Sequence, residues 1–534
     1  MKLSLIVAVL ALLCFVPSLR LMAQDPTTPQ VFAGRSVESI SAATHRRYIL
    51  KDLGTLGGPS SGLGFFAKIL NNRGTVAGVA DTSNPDPFAP NCLHRNCFVQ
   101  HGFKWERGIR TDLRTLPGGS GSDANFVNDL GQITGRSQNG RIDPSTGIPA
   151  TTAVVWEANG DIIDLGTLGG EQGLAVAINN SGQAIGTMAN TIPDAFSLGG
   201  IFGLNFATQT RAFLWEHGVV RDLGTLGGPD AFAQYLNERG QVVGVSYADS
   251  TPNDTTGIPS VHTFLWENGR MTDLGSLGGT LRFPNDINIR GQVVGDMTLP
   301  GDESQHPFLW DRGTLTDLGT FGGRNGDATW LNDAGEVVGW ANFPGDAVRH
   351  AFVWSNGVKQ DLAPPPGDIC SLAFGINSEG QVVGTSGVCR GGVHAVLWEN
   401  DATIDLNTVI PPNSGLQLVY AISINDRGEI AGVGVPPGVS VRDFGILGHA
   451  FLLIPISSDE NNAEKATQAD AGLDHQSQGV GQNNPEATTP LPQHNTITDG
   501  MVTQSRARYF NDDQLPGDLR GRFARLHFGR GKED

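Results

Sequence analysis

Charged residues are scarce in this chain. Only 17% of its 534 residues are Asp, Glu, Lys or Arg, and the acids outnumber the bases, so the formal net charge is −18. Binding of nucleic-acid phosphates needs a basic surface that releases counterions, so this charge argues against a nucleic-acid partner. The sequence also lacks a Ser-centred elbow, an HExxH motif, a P-loop and a GxGxxG following a strand. We therefore assign no catalytic residue, no metal ligand and no cofactor from motifs.

Long apolar runs are equally scarce, with one exception at the N-terminus. Lys2 is followed by an apolar run from Leu3 to Val16 and by the small residue Ala23, which is the pattern of a secretory signal peptide over residues 1–23. A transmembrane anchor is the alternative, but the run ends at Pro17 and is short for a bilayer. We expect a secreted, extracellular or periplasmic protein that does not span a membrane and is a monomer.

Cysteines are few, and one of the five, Cys14, lies in the predicted signal peptide. The other four are an even number in an oxidising compartment, which predicts two disulfides. Cys92 and Cys97 would close a small loop, although a metal site with His94 is an alternative. Cys370 and Cys389 flank a predicted hairpin, so we expect a bridge across two neighbouring strands.

Glycine, by contrast, is abundant, with 72 residues, and three motifs recur in fixed order. The first is an apolar strand that ends in tryptophan, at Trp105, Trp156, Trp215, Trp266, Trp310, Trp354 and Trp398. The second centres on Asp-Leu and mostly continues as Gly-Thr-Leu-Gly-Gly, at Asp52, Asp112, Asp164, Asp222, Asp273, Asp317, Asp361 and Asp405. The third is a hairpin of the form IN-x-x-GQVVG, built on Asn71, Asn128, Asn179, Asn237, Asn288, Asn332, Asn377 and Asn425.

The hairpin asparagines are 57, 51, 58, 51, 44, 45 and 48 residues apart, a period typical of solenoids and propellers. Each unit contains four apolar or turn-bounded runs, so we predict four strands per unit. The first unit, from Tyr48, lacks the tryptophan strand, and the chain supplies a lone copy at 449–456. Completing one unit from both ends leaves no open sheet edge. The prediction is an all-β fold: a single closed eight-bladed β-propeller of four-stranded blades.

The domain organisation follows from this repeat. Residues 24–47 form a linker, 48–456 form the propeller, and 457–534 form a low-complexity tail that we expect to be mostly disordered. Insertions at about 80–97, 136–152, 187–210 and 246–261 fall in the first half of the ring. Units five to eight are expected to be trimmed. Insertions in a repeat ring map to one face, which is often the binding face.

Several repeat positions carry chemistry but also have a structural interpretation. Histidine precedes the tryptophan by four positions at His101, His262, His306, His350 and His394, and His449 is equivalent. We expect hydrogen bonds within the blade, because equivalent positions on different blades do not converge on one metal ion. The Asp-Leu aspartates are expected to cap turns instead of binding calcium. The repeat tryptophans are expected in the core, whereas Trp330 and Trp340 fall outside the pattern and are candidates for ligand contact.

The HAFLWENG-like, DLGTLGG and IN-x-x-GQVVG segments resemble the HAF-repeat family of extracellular bacterial proteins, through His350-Ala351-Phe352 and His449-Ala450-Phe451. The resemblance covers residues 48–456 and implies a repeat fold outside the cell, but no particular reaction. Three functions remain open: a binding scaffold for a protein or glycan, a carbohydrate-active or cofactor-using propeller enzyme, and a structural component of the cell surface.

Overall fold

The structure, a computed structural model, describes residues 46–456 except 65–66, 88–95, 203, 205, 255 and 390. The predicted signal peptide (1–23), most of the predicted linker and the predicted tail (457–534) lie outside the described residues. No helix within the described ranges is long and apolar enough to cross a bilayer.

The described residues form eight antiparallel sheets of four strands each, arranged as the blades of a ring. The first strands of blades 2 to 8 lie against each other around the axis, and blade 1 packs on the first strand of blade 2 through its second and third strands. These inner strands of blades 1 to 8 are β2 (Gly57–Gly62), β6 (Ser122–Val127), β10 (Gly173–Ile178), β14 (Ala231–Leu236), β18 (Arg282–Ile287), β22 (Gly326–Leu331), β26 (Cys370–Ile376) and β30 (Gln417–Ile424).

Each inner strand pairs with a second strand, and each second strand pairs with a third. The second strands are β3 (Val76–Pro85), β7 (Ile133–Ile142), β11 (Ala184–Pro193), β15 (Val242–Tyr247), β19 (Val293–Thr298), β23 (Val337–Asn342), β27 (Val382–Val388) and β31 (Ile430–Val435). The third strands, which carry the repeat tryptophans, are β4 (Phe98–Glu106), β8 (Pro149–Trp156), β12 (Thr208–Glu216), β16 (Val261–Glu267), β20 (Gln305–Asp311), β24 (Arg349–Ser355), β28 (Gly391–Glu399) and β32 (His449–Pro455).

The fourth strand of each blade is short and lies at the outer edge. These strands are β5 (Ile109–Asp112), β9 (Ile162–Asp164), β13 (Val219–Asp222), β17 (Arg270–Asp273), β21 (Thr314–Asp317), β25 (Val358–Leu362), β29 (Ala402–Asp405) and, in blade 8, β1 (Tyr48–Asp52). The helical segments are α1 (Leu198–Ile201), α2 (Phe444–Leu447) and two 3₁₀ turns, Leu406–Thr408 and Val441–Asp443.

Blade 8 joins the two ends of the described chain, as the sequence predicts. Strand β1 pairs antiparallel with β32, so that Tyr48 lies opposite Pro455 and Asp52 opposite Phe451. Phe451 is fully buried, which ties this seam into the core. The prediction of a closed eight-bladed propeller is therefore confirmed.

The glycine that ends each GQVVG motif has a packing role. In blade 5 the inner strand has a bulge between Pro284 and Asp286, and this bulge brings the carbonyl of Phe283 towards β19. A Cβ atom added to Gly295 would lie 2.0 Å from that carbonyl oxygen. Only glycine allows this approach, which explains why the motif ends in glycine in every unit.

The alternation of strand directions gives the ring two different faces. The hairpin face carries the Asn turns between first and second strands and the short turns between third and fourth strands. The insertion face carries the segments between second and third strands, together with the connections between blades.

Candidate functional site

On the hairpin face, the repeat asparagines form a closed ring of hydrogen bonds. The Nδ2 group of each donates to the main-chain carbonyl of the corresponding asparagine in the next blade, at 2.8–3.2 Å, in all eight blades. The last of these bonds runs from Asn425 to Asn71 across the seam, at 2.9 Å. This ring could not be predicted from the sequence, because a repeated residue does not reveal its partner in a neighbouring unit.

The same asparagines also organise their own turns. In blade 5, Asn288 Oδ1 accepts from the backbone N–H groups of Arg290 and Gln292 at 3.1 and 3.0 Å, and its Nδ2 donates to Gln292 Oε1 at 2.8 Å. Each of these carboxamides therefore serves its own hairpin and the next blade at once.

A second set of side chains surrounds the axis on this face. The residue after the ring asparagine is acidic in every even-numbered blade, at Asp129, Glu238, Asp333 and Asp426. Each of these carboxylates accepts a backbone N–H from the preceding blade at 2.9–3.0 Å. Lys68 Nζ lies 3.6 Å from Asp129 Oδ2. These acids link blades, and the ammonium group of Lys68 partly balances their charge.

On the insertion face, the repeat histidines pair with the Asp-Leu aspartates of the outer strands. His262 Nδ1 lies 2.7 Å from Asp273 Oδ2, and His449 Nδ1 lies 2.9 Å from Asp52 Oδ2 across the seam. The equivalent pairs are His101–Asp112, His306–Asp317 and His350–Asp361. In blade 3, Arg211 replaces histidine and binds Asp222. His394 of blade 7 binds Asp368 instead of Asp405.

The same aspartates hold the turns that follow them. Seven of the eight accept the backbone N–H of the residue two positions on, at 2.7–2.9 Å, and Asp361 bonds to His350. Burial alone would raise the pKa of Asp52, Asp112, Asp273 and Asp317. The hydrogen bonds from the histidine and from the turn outweigh burial, so the pKa of each carboxyl is lowered.

The tryptophans singled out from the sequence lie in or against the core. Trp105, Trp156, Trp266 and Trp398 are buried, and Trp215, Trp310 and Trp354 are half-buried between blades. Trp340 is only 4% exposed, so its ring is not available for stacking from solvent. Trp330 is half-buried against the core between blades 6 and 7. Neither of these two tryptophans lies on an open surface.

The cysteines were predicted to form two bridges. Cys370 and Cys389 form a disulfide that joins the start of β26 to the end of β27, which confirms that pairing. Cys97 is also disulfide-bonded, and Cys92, its predicted partner, lies outside the described residues. Among the residues that the structure describes, no three His, Cys, Asp or Glu side chains are grouped to hold a metal ion.

The insertion face varies greatly from blade to blade. Between second and third strands, blade 3 has residues 194–207 and blade 4 has 248–260, whereas blades 5 and 6 have only 299–304 and 343–348. Blade 8 has 436–448, which includes α2. The prediction that units five to eight are trimmed is therefore wrong for unit eight. Its insertion was missed because it lies next to the incomplete final unit, where the repeat gives no length for comparison.

Two of the insertions fold inward over the inner strands. In the blade 3 segment, the ring of Phe202 lies 4.6 Å from that of Phe232 and 6.2 Å from that of Phe283, which belong to β14 and β18. In the blade 8 segment, Phe444 lies 4.9 Å from Tyr420 of β30. Aromatic side chains from the insertions therefore cover part of the axis on this face.

Buried polar groups of blade 4 hold the blade 3 segment in place. Asp230 accepts the backbone N–H of Leu198 at 2.6 Å and of Thr210 at 2.9 Å, and the Tyr247 hydroxyl donates to the Phe196 carbonyl at 2.7 Å. Burial raises the pKa of Asp230 to about 7. The segment is thus docked on its neighbour.

Other insertions extend their blades outward. Strands β7 and β11 each run for 10 residues, so they project beyond the body of the ring. Ile142 is 50% exposed and Ile192 is 52% exposed near the ends of these strands. A shallow, solvent-open groove lies between blades 1 and 2 and includes Gln100, Ser120 and Gln138 in its lining.

Solved structures with a similar fold are distant from this chain. The β-propeller domain of the trilobed protease from Pyrococcus furiosus is 9% identical, over 67% of this chain and 95% of that one, with a TM-score of 0.38. The acylaminoacyl peptidase of Pyrococcus horikoshii is 10% identical, over 71% and 58%, with a TM-score of 0.36. An oligogalacturonate lyase in complex with manganese is 11% identical, over 61% and 98%, with a TM-score of 0.34. This likeness does not extend to activity. No protein-family model and no curated protein matches the sequence.

Proposed function

We propose that the protein is a secreted, non-catalytic binding scaffold that presents its insertion face to an extracellular protein or glycan. The observation that carries this proposal is the division of roles between repeated and non-repeated residues. The asparagine ring and the His–Asp pairs engage the repeat amides, carboxylates and imidazoles in bonds within the propeller. The variable segments all leave from one face.

The shape of that face supports the same proposal. The longer segments between second and third strands belong to blades 8, 1, 3 and 4. In blade 2 this segment is only 143–148, but β7 itself runs for 10 residues, whereas blades 5 and 6 combine six-residue turns with shorter strands. The predicted signal peptide and the HAF-repeat resemblance support a location outside the cell.

Trimming one projecting segment tests the proposal. Residues 248–260 of blade 4 would be replaced by the six-residue turn 299–304 of blade 5, which joins equivalent strands. The intact chain and this variant would be screened against extracellular glycans, polysaccharides and matrix proteins, with and without chelator. We expect the variant to stay folded and to lose at least tenfold in affinity, because its contacts are removed while the ring is kept. Its melting temperature should fall only in part, because the buried side chain of Ile258 is removed with the segment.

Val358→Ser on the hairpin face, where Val358 is 68% exposed, is the matched control and should bind as the intact chain does. Equal binding by the trimmed variant would contradict the proposed face. Release of a cleaved or modified product in the screen would contradict a non-catalytic scaffold and favour the enzyme alternative.

A further inference from the structure

Blades 5 and 6 have the same framework on the insertion face. In blade 5, Leu299 N–H donates to the Ser304 carbonyl at 2.9 Å and Asp302 N–H donates to the Leu299 carbonyl at 2.9 Å. In blade 6, Phe343 N–H donates to the Val348 carbonyl at 2.9 Å and Asp346 N–H donates to the Phe343 carbonyl at 3.0 Å. The two turns therefore have the same pattern of backbone hydrogen bonds.

Each turn is also tied to the connection that precedes its blade. Asp302 Oδ1 accepts the backbone N–H of Thr280 at 2.7 Å, and Asp346 Oδ1 accepts that of Arg324 at 2.7 Å. Both aspartates have positive φ, 56° and 59°, a conformation that Asp tolerates better than most residues. The backbone alone gives no reason for the two blades to differ in side chains.

Several side chains nevertheless differ between the two blades, and three of these differences place an aromatic ring or a guanidinium group in blade 6. The corresponding residues are Leu277 and Phe321, Leu299 and Phe343, and Thr280 and Arg324.

In blade 6 these groups form one cluster. The rings of Phe321 and Phe343 are stacked, with centroids 4.9 Å apart and an angle of 21°. Lys359 Nζ lies 5.6 Å from the centroid of Phe321 and 4.7 Å from that of Phe352, so its ammonium group lies near the base of this cluster. Phe343, the outer ring, is half-buried and meets His350 edge-on at 4.9 Å.

An exposed ion pair borders the two rings. Arg324 Nε donates to Asp346 Oδ2 at 2.6 Å, and the side chains of Arg324 and Asp346 are 65% and 19% exposed. The pair has no net charge, yet it offers guanidinium donors and carboxylate acceptors next to a phenyl ring. The short turns of blades 5 to 7 leave this cluster open between the taller segments of blades 4 and 8.

We propose that this blade 6 cluster is a binding subsite for a neutral oligosaccharide. A pyranose has an apolar C–H face that packs on an aromatic ring and a rim of hydroxyls that pair with planar donors and acceptors. Arg324 is already paired with Asp346. This pairing disfavours an acidic sugar, whose carboxylate would need an unpaired guanidinium group. The subsite rests on the proposed function and specifies the ligand class and one contact surface.

The blade 5 side chains supply the test. The triple variant Phe321→Leu, Phe343→Leu, Arg324→Thr gives blade 6 the residues that blade 5 already accommodates on the same framework. Calorimetric titration of the full chain with neutral oligosaccharides, chosen from a glycan array, should show at least tenfold weaker binding by the variant at an unchanged melting temperature. The reverse triple change in blade 5, at Leu277, Leu299 and Thr280, should raise the number of sugars bound from one to two.

Unchanged affinity of the blade 6 variant would overturn the subsite while leaving the proposed function intact. The subsite would also be overturned if the intact chain preferred uronic or sulfated glycans to neutral ones, or if it bound no neutral glycan at all. The trimmed blade 4 variant decides the proposed function separately, because the blade 6 cluster is unaltered in it.

Discussion

The two faces of this propeller follow different rules. On the hairpin face, all eight blades make the same bond from one asparagine to the next, at the seam as elsewhere. On the insertion face, the equivalent segments differ in length and sequence, as 343–348 of blade 6 and 194–207 of blade 3 illustrate. The hairpin face is therefore constrained, because its bonds hold the ring together. The segments of the insertion face can vary in length and sequence. The predictions below test this contrast, beginning with the largest expected effect.

Deleting residues 449–456 should open the ring and so disrupt both faces. The deletion removes β32, so β1 loses its partner and the fully buried Phe451 and Leu453 are lost from the core. An unpaired edge and a missing core layer should produce unfolded or aggregated protein. Size-exclusion chromatography and thermal melting measure this outcome. A truncated chain that stays monomeric and melts at the same temperature would disprove the structural role of closure.

Asn288→Ala should be the most damaging single substitution among those compared here. It removes the donor to the buried Asn332 carbonyl and leaves the partly buried N–H groups of its own turn without their acceptor. Buried groups left unpaired cost about 1–3 kcal/mol each, so we expect a loss of about 2–3 kcal/mol in urea unfolding. A loss no larger than that of a surface substitution would show that the ring contributes little.

The interface between blades 5 and 6 should make stability depend on pH. Burial raises the pKa of Asp286 and Asp327 to about 7, and burial and the nearby Asp327 raise the pKa of Asp296 well above its usual value. The folded chain thus holds protons that the unfolded chain releases above about pH 4. The stability that these groups contribute is complete below that pH and is lost as pH rises through about 7.

Asp296→Asn should weaken this dependence, because it removes one buried carboxyl and its repulsion of Asp327. The free energy of unfolding, measured between pH 5 and pH 8, should fall less steeply with pH in the variant. The two slopes should differ by about 1.4 kcal/mol per pH unit for each proton no longer retained. Identical slopes in the two proteins would contradict the assignment.

His306→Ala should have the smallest effect. Its bond to Asp317 lies on the insertion face, where the Asp317 side chain is 39% exposed, and ion pairs at such sites contribute about 1 kcal/mol or less. Urea unfolding alongside Asn288→Ala gives the direct comparison. Equal losses in the two variants would remove the distinction between the faces.

The sequence was sufficient for the features that depend on periodicity. The four-stranded unit, the eightfold ring and the strand exchange between the ends all follow from the order of three motifs, and the Cys370–Cys389 bridge follows from its place beside one hairpin. Histidine bonding within the blade was also expected, although the exceptional pairing of His394 with Asp368 was not.

Features that join different repeats were beyond the sequence. Asp286, Asp296 and Asp327 come from three strands of two blades, and their proximity depends on packing that no local pattern encodes. The burial of Trp340 was missed for a similar reason, because its position outside the repeat suggested a free surface. The matched turns of blades 5 and 6 could be recognised only after their backbone bonds were known.

The asparagine ring has one more consequence. Every bond points the same way around the axis, and the bond that crosses from the last blade to the first is equivalent to the other seven. The place where the chain begins is thus a detail of connectivity, since Ile456 already bonds to Arg47 at 2.8 Å. Joining those residues and cutting a connection elsewhere should preserve the circle, so a circularly permuted gene could encode the same molecule.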